Sequence, residues 1–102
     1  MGSEAMAIYI TLIQLTAQGI KNVKESPERV AAAKEIFRKV GAEIKEFYLP
    51  MGLYDTVCVV EAPDTETMAR AALALGSLGN VRTETLRAFS EEDFRRIIGA
   101  LP

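Results

Sequence analysis

Three observations predict an α+β domain with the element order β-α-β-β-α-β and one further helix. Runs rich in β-branched residues alternate with stretches whose apolar residues recur at helical spacing. Two of the β-type runs are joined by Leu49-Pro50-Met51-Gly52-Leu53, which has the composition of a hairpin turn. Helix punctuation stands between the runs, with Ser26-Pro27-Glu28, Asp64 and Ser90 at starts and Gly41 and Gly79 at ends.

Ala7–Leu15 (AIYITLIQL) is β-branched and apolar on both faces, as expected of a central strand. The polar stretch 16–25 has room for a short helical turn started by Thr16. Ser26 can then cap a helix, Pro27 suits its first position, and Glu28 faces the positive end of the dipole. Val30, Ala33, Phe37 and Val40 form the apolar stripe of that helix, and Gly41 ends it in the left-handed conformation. Residues 43–49 and 54–61 follow as strands. Pro50 presets a type I turn and Gly52 suits a bulge. The implied register pairs Leu49 with Leu53, Tyr48 with Tyr54 and Phe47 with Asp55. Cys58 falls in mid-strand as a buried small apolar residue, with no His or second Cys to activate it. Asp64 caps the next helix, whose stripe is Met68, Ala71, Ala72, Leu75 and Leu78. Residues 81–89 form the last strand. Ser90-Glu91-Glu92-Asp93 is a capping box, with Phe89 able to staple onto Phe94. Phe94, Ile97, Ile98 and Leu101 make the apolar side of the final helix.

This order is the ferredoxin-like split βαβ pattern. It implies a four-stranded antiparallel sheet with the first and third strands central, and helices over one face only. The other face is apolar yet uncovered, so a homo-oligomer paired through that open face is expected, as in dimeric α+β barrels.

The chain has 102 residues, which indicates one domain, and 49% of them are hydrophobic, high for so small a core. Residues 1–5, Met-Gly-Ser-Glu-Ala, read as an added leader ahead of a start at Met6, leaving a single domain over residues 6–102. A net charge of −2 with no Lys/Arg stripe argues against nucleic acid as a partner. No apolar run is long enough for a membrane span and no signal peptide is evident, so a cytoplasmic location is expected. The chain has no His and one Cys. That composition removes the commonest general base and the usual transition-metal and haem ligands, so neither metal nor cofactor is expected.

The candidate site lies beside the hairpin. Tyr48, Tyr54, Asp55, Gln14, Thr16 and Arg82 are expected to converge at one rim of the sheet, where a carboxylate, a guanidinium and phenols can hold a small polar ligand. The plainer alternatives are that Asp55 caps backbone N–H groups or pairs with Arg82 or Lys45, and that the tyrosines form a cross-strand or interface pair. Gly76-Ser77-Leu78-Gly79-Asn80 follows a helix rather than preceding one and reads as a stop, not a phosphate loop.

Several segments in order resemble the GYD domain family. They are Gln18-Gly19-Ile20, Phe47-Tyr48, Met51-Gly52-Leu53-Tyr54-Asp55, Val60-Glu61-Ala62-Pro63, the stretch from Leu73 to Thr83, and Arg87-Ala88-Phe89. Here Leu53 separates the glycine from Tyr-Asp. The resemblance spans residues 8–101 and implies a small ferredoxin-like protein of the α+β-barrel type, with the function left open. Three readings follow: a homo-oligomeric small-ligand-binding or interaction module, a cofactor-free isomerase or small oxygenase, or a purely structural oligomer. In the second, Asp55 or Glu46 would act as base and Tyr48 or Tyr54 as donor.

Overall fold

A computed structural model describes residues 6–102; the expected leader lies outside them. The elements are β1 (Ala7–Leu15), α1 (Ala17–Lys21), a 3-10 turn (Val23–Glu25), α2 (Ser26–Val40), β2 (Glu43–Tyr48), β3 (Thr56–Ala62), α3 (Thr65–Gly76), β4 (Val81–Ala88) and α4 (Glu91–Gly99). The four strands form one antiparallel sheet in the order β2-β3-β1-β4. An α+β arrangement with β1 and β3 central is that of a ferredoxin-like fold.

Strand alternation divides the sheet into two faces. Tyr9, Thr11 and Ile13 of β1 and Cys58, Val60 and Ala62 of β3 point to the covered face. There they pack with Phe37 of α2 and Met68 and Ala71 of α3. Polar groups in this core are paired: Thr11 Oγ1 lies 3.2 Å from Thr85 Oγ1, and the Tyr9 hydroxyl lies 3.0 Å from Thr65 Oγ1 at the start of α3. Ile8, Ile10 and Leu12, with Val57, Val59 and Leu86 in register beside them, form the opposite face, over which no helix lies among the described residues. The molecule measures 50 × 32 × 18 Å. Its thinnest dimension is one sheet plus one layer of helices.

Helix ends follow from local chemistry. Thr16 Oγ1 accepts from Gly19 N and starts α1, Asp64 Oδ1 accepts from Thr67 N and starts α3, and Ser90 Oγ accepts from Asp93 N and starts α4. Gly41 terminates α2 at φ 100°, where its N–H and that of Ala42 reach the Arg38 and Phe37 carbonyls. Ser26 does not cap α2. The 3-10 turn runs directly into the helix, so Ser26 already has helical angles and Glu25 occupies the cap position without a side-chain bond.

The hairpin register also differs from expectation. Tyr48 pairs with Val57 and Phe47 with Cys58, three residues further along than the predicted partners. The connection is therefore seven residues long, 49–55, rather than a tight turn, and Gly52 takes φ 139° within it. Lys45 forms a bulge in the edge strand β2, between Ile44 and Glu46. Tyr48 and Tyr54 do not pair.

α4 makes almost no contact with the other elements and buries none of its residues. Phe94 is 57% and Leu101 62% exposed, and Phe89 stays exposed with the Arg87 guanidinium 4.5 Å above its ring.

Candidate functional site

Five of the six predicted site residues lie where β1 ends, β3 begins and β4 begins, but in two separate clusters. Asp55 sits where β3 leaves the ladder. Its backbone N–H still donates to the Ile13 carbonyl at 2.8 Å, and its Oδ2 accepts from the Leu15 N–H at 2.8 Å. The carboxylate thus replaces the backbone carbonyl that a longer β3 would have offered. Gln14 is a cross-link, since its Nε2 donates to the Leu53 carbonyl at 3.1 Å and its Oε1 accepts from Arg82 Nη2 at 3.3 Å. Arg82 therefore engages Gln14, and among the described residues Asp55 has no ion pair. The Tyr54 hydroxyl donates to Glu84 Oε1 at 2.9 Å, a bond that raises the phenol's pKa.

Thr16 belongs to a second cluster, a clasp between α1 and the turn before β4. Its N–H donates to the Asn80 carbonyl at 3.0 Å and its hydroxyl to the Gly79 carbonyl at 2.6 Å. Gln18 Nε2 adds a bond to Asn80 Oδ1 at 2.9 Å. Gly19 permits this approach, because a Cβ there would lie 2.1 Å from the Asn80 carbonyl oxygen. The spacing of Gln18-Gly19 and Gly79-Asn80 gave no hint that they touch.

Tyr48 stands apart on the edge strand, with β3 between it and the others. Its hydroxyl donates to Glu46 Oε1 at 2.8 Å, which also raises its pKa. Of the groups considered for acid–base chemistry, Asp55 is thus committed to a strand N–H and Glu46 to a phenol.

Two features were not foreseen. The first is the apolar loop between β2 and β3. Leu49 is 77%, Met51 96% and Leu53 74% exposed, and Gln14 and Asp55 anchor its return to the sheet. Three large apolar side chains within a turn were a visible sequence signal for such a surface. The second is a cavity under α2, on the covered face, which includes only Thr11, Ile13 and Leu15 of β1 on its wall and none of the six residues. Among the described residues no cluster of His, Cys, Asp or Glu could hold a metal ion.

Fold and site together define a ferredoxin-like α+β domain that carries an anchored apolar loop and an uncovered sheet face. The chain belongs to the GYD domain family, whose profile matches residues 9–98. It is 40% identical over 89 residues to the "Glutamine synthetase and cystathionine beta-lyase binding protein" of Thermus thermophilus, covering 86% of this chain and 94% of that protein. Among solved structures it resembles TTHA0845, also from Thermus thermophilus, with a TM-score of 0.55 and 30% identity over 83% of this chain and 95% of that one. No helix among the described residues is long and apolar enough to cross a membrane.

Proposed function

We propose that this protein is a homo-oligomeric interaction module that docks other proteins, metabolic enzymes among them, in the cytoplasm. The observation that carries this reading is the near full-length match to a relative named for binding two enzymes. Surface chemistry supports it. The open sheet face suits a second copy in the manner of dimeric α+β barrels. The loop 49–53 offers the exposed, conformationally anchored apolar side chains that a partner's surface can bury.

The rim residues have a place in this scheme. Gln14 and Asp55 fix the loop to the sheet, Arg82 orients Gln14, Thr16 closes the neighbouring clasp, and Tyr54 and Tyr48 present hydroxyl-tipped rings beside it. They position the docking surface or contact a ligand there.

Light scattering and biosensor binding test the two halves separately. A dimer or larger assembly is expected at micromolar concentration, and a monomer would overturn the oligomer. Immobilised protein is expected to bind purified glutamine synthetase or cystathionine β-lyase, and Met51→Asp to abolish that binding while the assembly stays intact. Failure to bind either enzyme, or full binding by the variant, would sink the docking role of the loop.

A further inference from the structure

Between α2 and the covered face of the sheet lies a cavity of about 120 Å³. Its deep walls are Thr11, Ile13, Phe37 and Cys58, all buried, and half-exposed Phe47 of the edge strand stands at its opening. Of the polar side chains on its wall, Thr11 and Arg29 are engaged, Asn80 Oδ1 accepts from Gln18 Nε2, and Ser26 and Thr56 are half-buried. The Thr11 hydroxyl is bonded to Thr85 at 3.2 Å. The Arg29 guanidinium donates to the Asn22 carbonyl at 2.6 Å and to the Gly19 carbonyl at 3.4 Å, and pairs with Glu25 at 3.4 Å. Burial pushes the Cys58 thiol up to about 11, so it is uncharged at neutral pH. Among the described residues no buried side-chain nitrogen or oxygen lacks a partner.

Most of this wall is apolar and its buried polar groups are paired, so it offers water few groups to bond, and a charged ligand would lose its hydration without compensation. An apolar group gains instead, because it supplies the dispersion contacts that an empty void forfeits. Size sets a further limit. A cavity of about 150 Å³ lined by aliphatic and aromatic side chains holds benzene, so this one takes a single ring or an aliphatic group of similar bulk.

We propose that this cavity is a binding site for a small uncharged apolar molecule, an aromatic ring or branched aliphatic chain, which enters beside Phe47 between α2 and β2. The site lies on the opposite side of the sheet from the face assigned to a second copy and does not involve the loop 49–53. Its occupancy is therefore independent of the docking function.

The test uses two probes on the whole protein. In a crystal pressurised with xenon, a peak is expected among Ile13, Phe37 and Cys58. In solution, benzene is expected to shift the methyl resonances of Ile13, Val30, Leu75 and Val81 saturably, with a dissociation constant of roughly millimolar order. Ala33→Met should fill the void, weaken benzene binding at least about tenfold and leave the fold intact. An empty cavity under xenon overturns the proposal whether or not the variant folds. So do benzene shifts that spread without saturation over surface residues, or unchanged benzene affinity in Ala33→Met.

Discussion

On one side of β1, Tyr9, Thr11 and Ile13 are buried beneath α2 and α3; on the other, Ile8, Ile10 and Leu12 are covered only by their neighbours in the sheet. The open set is, if anything, the more apolar, since Tyr9 and Thr11 carry hydroxyls. What separates them is the cover available within the chain: α2 and α3 both cross to the same face, and α4, the remaining amphipathic helix, stands away from the domain. A strand apolar on both sides is thus a statement about eventual burial. It does not say that the same chain supplies both layers.

The contrast can be broken most directly by truncating each side. Phe37→Ala, on the covered face, is expected to cost about 3–5 kcal/mol in urea or thermal unfolding. Leu86→Lys, on the open face, should alter the stability of the separated protomer by no more than about 0.5 kcal/mol while lowering the mass seen by light scattering. Similar unfolding losses for the two variants would erase the distinction between the faces.

Gly19→Ala comes next. It forces a Cβ against the Asn80 carbonyl oxygen, at 2.1 Å without rearrangement, and should cost about 1–3 kcal/mol by parting α1 from the turn before β4. Gly76→Ala, where a Cβ meets nothing, is the matched control and should be close to neutral.

Cys58 sharpens the comparison through pH. Its pKa is raised to about 11 from an ordinary value of 9.0, so the folded state keeps the thiol protonated while the unfolded chain ionises first. Its contribution is complete below about pH 9 and is lost as pH rises towards 11, an effect on the order of 2 kcal/mol. Denaturant titrations at pH 8 and pH 10.5 should show this loss in the wild type. Cys58→Val should remove that component, and an unchanged alkaline loss would place its origin elsewhere.

A smaller loss than at Phe37, Gly19 or Cys58 is expected at Asp55. Asp55→Ala removes the acceptor of the Leu15 N–H and should cost about 1 kcal/mol, with hydrogen exchange at Leu15 accelerated. Asp55→Asn keeps an oxygen there and should lose less.

The strands and helices were legible because each carries its own periodicity and punctuation: Thr16, Asp64 and Ser90 cap as their residue types suggest. The hairpin register was not. Pro50 and Gly52 permit a tight turn, but a carboxylate from Asp55 in place of a backbone bond lets the connection lengthen to seven residues. Ser26 misled for a related reason, because a preceding 3-10 turn had already supplied helical geometry. Strand order brings Gln14, Arg82 and Asp55 near one another, while the partner of each depends on side-chain reach that spacing does not encode. The cavity depends on how far α2 stands off the sheet, a distance set by packing and invisible to any local pattern.

The position of β1 between β3 and β4 has a consequence for the order of folding. In β1, Ile8 pairs with Glu61 and also with Ala88, so the strand gains its second neighbour only after α2, β2, β3 and α3 have been made. Closing so long a segment slows the search for the native pairing, and until β4 arrives one edge of an apolar strand is unpaired. The nascent domain's period of greatest exposure therefore lasts until β4 has been made, and a truncation anywhere before β4 should yield a species that aggregates rather than a smaller folded domain.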